Sequence, residues 1–219
     1  MRFELDHDIY IFDCDGVILN SNQLKINAME SALCALSIDD NQIKRCCEYF
    51  RKNFGKSRYH HVEHFVSNIL QIEHETTRKE LELKIITLFS NQCQKLYLKA
   101  ELTPGFLEFL QTLRGKKYIA SGSAEDELRS VFRERELDHH FSGIYGSPTA
   151  KSDNISHILG LEETEKAVMF GDAISDLEAS IANKIDFIAY RTYSNVPDLL
   201  TIQSKCHGFK VIDSWSELL

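Results

Sequence analysis

Two regimes of hydrophobic patterning divide the chain. The first apolar run, Ile9-Tyr10-Ile11-Phe12, is rich in β-branched and aromatic residues and leads into Asp13-Cys14-Asp15-Gly16, which predicts a buried strand running into a turn. Beyond it the spacing becomes helical. Ile26, Met29, Leu33 and Leu36 place an amphipathic helix over 21–36, and Asp39-Asp40 opens another over 39–53 that carries Ile43, Cys46, Cys47 and Phe50. The polar, basic stretch Asn53-Phe54-Gly55-Lys56-Ser57-Arg58 breaks this pattern. Two further helices are predicted over about 59–71 and 76–99, and no strand signal occurs between 20 and 100.

From Thr103-Pro104-Gly105 onwards helix and strand alternate. Helices are predicted over 104–114, 124–136, 151–159 and 174–183, and strands at 117–121, 143–146, 167–171, 186–190 and 210–212, with a closing turn at Ser214-Trp215. The expectation is an α/β core built from 1–19 and 101–219, interrupted after its first strand by a helical cap over 20–100.

Composition changes this picture little. Hydrophobic residues make up 43% and charged residues 26%, as in ordinary globular proteins, and no apolar run approaches the roughly 18 residues of a membrane span. The opening Met1-Arg2-Phe3-Glu4-Leu5-Asp6-His7-Asp8 has neither the basic nor the apolar region of a signal peptide. Six scattered cysteines without C-x-x-C spacing fit reduced thiols in a cytoplasmic protein, with Cys14 read as a packed small hydrophobe. The net charge of −8 argues against nucleic acid as a partner. It is unevenly spread: residues 21–100 hold 12 Lys and Arg against 9 Asp and Glu, the remainder 13 against 24. A basic insert facing an acidic core suits a small anionic substrate.

The candidate chemistry lies at strand ends, where parallel α/β sheets place their sites. Asp13 and Asp15 share a face of an extended chain and can converge on one ligand, as two hard oxygen donors suited to Mg²⁺ or with one acting as a nucleophile. Val17 and Ile18 exclude an EF-hand loop. The second core strand ends in Ser121-Gly122-Ser123, whose hydroxyl suits a phosphate oxygen. After the third, Lys151 stands at a helix start, where the helix dipole disfavours a cation, which suggests another purpose such as neutralising a phosphoryl group. The fourth ends in Gly171-Asp172-Ala173-Ile174-Ser175-Asp176, two acids four residues apart across a strand-to-helix turn.

In this order, D-x-D-G-V, a strand-end Ser, a lone Lys and G-D-x-x-x-D resemble the four motifs of the haloacid dehalogenase superfamily over nearly the whole chain. The helical insert resembles the subgroup that includes phosphoglycolate phosphatase and β-phosphoglucomutase. Within it, the run Asn20-Ser21-Asn22-Gln23-Leu24-Lys25 and Gly146-Ser147-Pro148 look like sugar-phosphate phosphatases. The resemblance implies a flavodoxin-like (Rossmannoid) core and an aspartyl-phosphate mechanism. Asp13 would be the nucleophile and Asp15 the acid and base. Mg²⁺ would be held by Asp13, the Asp15 carbonyl and Asp172, with Asp176 in support, while Ser121 and Lys151 would hold the phosphoryl oxygens. Gly122, Lys25, Gly55, Lys56 and Arg58 would meet the substrate. Two departures stand out: Asn20 replaces a frequent Asp, and Lys25 replaces the histidine of the mutases.

These readings together make the chain a Mg²⁺-dependent phosphohydrolase for a small sugar or polyol phosphate, free of nucleic-acid or membrane partners and a monomer or weak dimer. The alternatives are a phosphosugar mutase, a non-catalytic binding module, and a zinc peptidase using H-x-x-E-H at His60, Glu63 and His64.

Overall fold

The computed structural model describes residues 5–219; residues 1–4, part of the stretch read as lacking a leader, lie outside it. Six strands form one parallel sheet: β1 (Ile9–Phe12), β2 (Lys116–Ala124), β3 (Gly143–Ser147), β4 (Ala167–Gly171), β5 (Asp186–Tyr190) and β6 (Lys210–Ile212). Their order is β3-β2-β1-β4-β5-β6. The chain therefore winds outward from β1 in one direction and then in the other, and the doubly wound sheet opens a crevice between the carboxyl ends of β1 and β4.

Alternate strand residues feed two cores, as the strand period of two requires. Tyr10, Phe12, Ile119, Val168, Phe170 and Ile188 face one side. There they meet α5 (Phe106–Thr112), α6 (Glu125–Glu134) and the C-terminal turn. Ile9, Ile11, Tyr118, Ala120, Met169 and Phe187 face the other. That side is covered by α7 (Lys151–Glu162), α8 (Ile174–Ala182) and α9 (Pro197–Cys206).

Between β1 and α5 lie four helices: α1 (Asn22–Cys34), α2 (Asp40–Lys52), α3 (Arg58–His64) and α4 (Glu75–Tyr97). Asp39 caps α2 by accepting from the Asn41 and Gln42 amides, and Ser57 caps α3 through the His60 amide. A π-helical turn, Phe65–Ile69, extends α3. The insert has its own apolar interior around Ile26, Met29, Phe50, Phe65, Ile85 and Phe89. Its two connections to the sheet run side by side, joined by Asn20 N to Glu101 O and Thr103 N to Ile18 O, each 2.9 Å.

The sequence reading missed α9 and placed β2 too short. In α9 only Leu200 and Ser204 are buried while Leu199 and Ile202 face solvent, so no amphipathic stripe marks it. β2 extends past Ser121, Gly122 and Ser123 because pairing with β3, interrupted by a register shift after Ala120, resumes at Ala124 opposite Ser147.

Trp215 holds the C-terminal turn against the sheet. Fully buried, it stacks on Phe109 (4.8 Å between centroids) and Tyr190 (4.7 Å), meets Phe12 edge-on, and donates to Thr103 Oγ1 at 2.9 Å. Trp215→Ala is expected to lower stability by about 3–5 kcal/mol, measured by urea unfolding followed by circular dichroism.

Candidate active site

β1 delivers Asp13 to the crevice, and the turn after it returns sharply at Gly16, whose φ is +75°. A Cβ at Gly16 would run into the Asp172 carboxylate and the Asn22 amide, so only glycine lets this turn lie so close to the end of β4. β2 brings Ser121, β4 leads directly into Asp172, α8 contributes Asp176 from its first turn, and α7 begins at Lys151. All are buried, from Asp176 at 0% exposure to Lys151 at 8%.

The carboxylates of Asp13, Asp172 and Asp176 offer ligand oxygens all within 4.8 Å of one another. Asp176 is satisfied within the protein: its Oδ2 accepts from the Asp172 and Ala173 amides, both at 3.0 Å, and its Oδ1 bonds Lys151 Nζ. Lys151 also lies 3.1 Å from Asp13 Oδ1. The other two carboxylates are incompletely met. Asp172 receives the Asn22 amide on Oδ2 at 2.6 Å, but its Oδ1 is buried without a hydrogen bond, and so is Asp13 Oδ1. Burial raises the pKa of Asp172, and the charges of Asp176 and Asp13 raise it further. Burial likewise raises Asp13, with Lys151 working against it. For Lys151, burial favours the neutral amine, but Asp13 and Asp176 outweigh it and hold the ammonium. Three carboxylates against one ammonium, with Asp172 Oδ1 unpartnered and Asp13 Oδ1 met by Lys151 alone, fit a small hard cation that takes oxygen ligands.

Asp15 lies outside that three-carboxylate cluster, though it lines the same chamber as Asp13. Four donors draw it towards the insert: Ser21 Oγ at 2.6 Å on one oxygen, and Lys25 Nζ (2.9 Å), Ser123 Oγ (2.8 Å) and Tyr97 OH (3.0 Å) on the other. Burial works to raise the pKa of Asp15, but the charge and hydrogen bond of Lys25, with the hydroxyls, more than offset it and keep the group ionised.

The insert closes over these groups. Lys25, Phe50, Phe54, Arg58, His61 and Phe89 face Asp13, Asp15 and Ser121 across a cavity of about 10 Å³, room for about one water. Gly55 and Gly122 pinch its edge, since a Cβ at Gly122 would strike the Gly55 carbonyl. Lys56, exposed, lines both this chamber and a wider outer cavity of about 470 Å³ that also reaches Lys151. Arg58 is buried and committed within the protein: its guanidinium grips Glu127 of α6 in two bonds of 2.6 Å, bonds Ser90 Oγ, and lies 5.3 Å from the Phe89 ring centre.

Residues 7–183 match the sequence profile of the haloacid dehalogenase-like hydrolase family. The chain belongs to that family. Among solved structures it is similar to CbbY from Rhodobacter sphaeroides in complex with phosphate, at 17% identity, a TM-score of 0.71 and coverage of 97% of this chain and 96% of that one. A predicted phosphoglycolate phosphatase from Haemophilus somnus (15%, TM-score 0.74, 97% and 96%) and a haloacid dehalogenase-like family hydrolase from Streptococcus pneumoniae (19%, TM-score 0.68, 97% and 96%) share the fold. No curated protein matches the chain.

In this haloacid dehalogenase-like chain the sequence reading overlooked several groups around the site. Asn22 ties Asp172 to the Tyr193 carbonyl, and Tyr97 and Ser123, 2.7 Å apart, both reach Asp15. Asn22 sits inside the run at 20–25 and Ser123 directly after Ser121, so the motifs pass beside them. Tyr97 and Glu127 carry no local signal. The H-x-x-E-H residues are engaged elsewhere: His64 stacks on Tyr49 at 3.7 Å and His60 bonds the Tyr49 hydroxyl, and neither belongs to a three-residue ligand cluster among the described residues.

His61 lies against Phe50 and Phe65, 1% exposed, with Nδ1 unpartnered. Burial lowers its pKa well below 6.5, so the unfolded chain takes up a proton that the folded chain refuses. Its contribution to stability is complete above about 6.5 and is lost as pH falls through the folded value. Comparing unfolding free energies between pH 7 and pH 5, the loss should be smaller in His61→Leu than in the wild type.

Proposed function

We propose that the chain is a Mg²⁺-dependent phosphatase of a small phosphate monoester, working through a phosphoryl group carried on Asp13, with residues 20–100 acting as a cap that parts from the core to admit substrate. Three buried carboxylates sharing one ammonium, with Asp172 Oδ1 left without a partner, carry this reading. Asp13 and Asp172 would hold the ion, with Asp176 ordering the loop and fixing Lys151. When bound, Mg²⁺ supplies charge that offsets repulsion between an anionic nucleophile and an anionic ester.

The protein's own groups account for the rest. Asp13 attacks phosphorus in line with the leaving oxygen, and Lys151 and the Ser121 hydroxyl hold phosphoryl oxygens. Asp15, protonated while the cap is open and Lys25 and Tyr97 are withdrawn, delivers that proton to the leaving alcohol and, once ionised, draws one from the water that cleaves the aspartyl-phosphate. Its four donors hold it in the ionised form that this second step uses. Closure of the cap excludes bulk water while the phosphoryl group moves.

A mutase must return the phosphoryl group to a second hydroxyl. Lys25 stands where such enzymes carry a histidine, and here it is buried in an ion pair with Asp15. Burial lowers its pKa, but Asp15 more than compensates and keeps it charged, which makes it a poor proton relay. Phosphatase activity is the better-supported outcome, and phosphorus NMR on a hexose phosphate should show free phosphate accumulating without an isomerised ester.

Asp13→Asn should abolish phosphate release, and removing divalent cations with EDTA should do the same until Mg²⁺ is restored. Lys151→Ala should lose on the order of 10²–10³-fold in kcat, as expected for a buried donor aimed at developing charge. Lys166→Ala, which breaks an exposed pair with Asp6, should leave kcat nearly unchanged. Steady-state phosphate release for the two lysine variants distinguishes a site cation from a surface one.

A further inference from the structure

The chamber beside the acids is lined by insert cations, yet those that are buried already have carboxylate partners on the other side of the crevice. Lys25 of α1 pairs with Asp15 at 2.9 Å and also donates to Ser123 at 2.8 Å. Arg58 of α3 pairs in two bonds with Glu127, which the core helix α6 supplies. Both pairs bridge insert and core, so both form when the two come together. Lys56 has no carboxylate partner among the described residues, but it is exposed at the mouth and its charge is screened by solvent. The remaining insert walls are the Phe50, Phe54 and Phe89 rings and His61, which burial keeps neutral.

We infer that this site selects phosphate monoesters whose leaving group is a compact, uncharged alcohol without a second anionic group, and that the Arg58–Glu127 pair enforces the choice. The inference rests on the phosphatase reading and names its substrate class. A leaving group bearing a carboxylate or a second phosphate would have to take Arg58 or Lys25 from its partner. Asp15, buried, would then lack its counter-charge at high cost, and half-buried Glu127, with 19% of its side chain exposed, would lose two hydrogen bonds and its counter-charge at a smaller one. An uncharged alcohol lets both pairs re-form on closure and rests against the aromatic wall. Discrimination thus comes from an internal carboxylate that rejects the competing anion, a device that works against the wrong ligand rather than for the right one. The excess of basic residues in 21–100 does not contradict this, since the two buried cations among them are neutralised in place.

The test compares two esters of nearly equal size, hydroxyethyl phosphate and phosphoglycolate, which differ by a terminal hydroxymethyl against a carboxylate. With Mg²⁺ present, the wild type should favour hydroxyethyl phosphate in kcat/KM by at least about ten-fold. Glu127→Gln frees the Arg58 guanidinium and should shift the ratio towards phosphoglycolate by about ten-fold. The double variant Arg58→Met with Glu127→Gln removes both charges and should restore the preference for the uncharged ester, which separates specificity from any loss of folding in the single variant. Equal or better turnover of phosphoglycolate by the wild type overturns the inference, and so does a ratio unmoved by Glu127→Gln. Loss of phosphoglycolate turnover alone in Lys56→Ala would place a second anion at the mouth and overturn it as well. Hydrolysis of p-nitrophenyl phosphate, abolished by Asp13→Asn, keeps the two readings apart: if the wild type hydrolyses no ester at all, the phosphatase reading falls and takes this one with it, whereas a preference for the carboxylate ester defeats only the specificity.

Discussion

Carboxylates buried without enough positive charge are the constraint around which this protein is arranged. Asp13, Asp172 and Asp176 converge where β1 and β4 end, with Lys151 as the ammonium among them. Removing such charges from water is costly, and the protein recovers part of that cost locally. Asp176 is met by two amides and a lysine, and half of Asp172 by Asn22. What stays unmet, Asp172 Oδ1 and the excess negative charge around Lys151, points to where a cation would complete the cluster. The sheet order, the glycine turn at Gly16 and the start of α8 all serve to hold these groups together.

The insert answers the same constraint from the other side. Asp15, the fourth buried acid, is neutralised by Lys25 and by hydroxyls from the linker, α4 and β2. Arg58 repeats the arrangement with Glu127 farther along the crevice. Each contact joins the insert to the core across the chamber, so on the proposed reading admitting a substrate and breaking these pairs would be coupled events. The small enclosed cavity and the wider outer one on either side of the Gly55–Gly122 contact fit such a cycle of opening and closing.

Much of this was legible in the sequence because each principal group follows an apolar strand and therefore has a predictable place. Asp13 follows Ile9–Phe12, Ser121 follows Tyr118-Ile119-Ala120, and Asp172 follows Ala167–Gly171, so reading the strands brought these groups to one end of the sheet. The helices of the insert were legible for the same reason, each carrying an apolar stripe. Partners chosen by tertiary packing were not. Tyr97 reaches Asp15 across 82 positions and Glu127 reaches Arg58 across 69, and neither residue stands in a local pattern that suggests a role. The partners of the Asp15 carboxylate were not legible either, because strand alternation gives a face and not a neighbour, and the four donors come from the linker, α1, α4 and β2. Arg58 was expected to meet the substrate, and nothing local to it announced the ion pair with Glu127 on a distant helix.

The central claim, that the carboxylate cluster is completed by a divalent cation, is tested most directly by titrating Mg²⁺ into the metal-free protein while following binding heat and thermal unfolding together. The account predicts one ion per chain, a rise in unfolding temperature that saturates with occupancy, and loss of both in Asp172→Asn. Absence of binding heat with an unfolding temperature indifferent to Mg²⁺, or binding that survives Asp172→Asn unchanged, would contradict it.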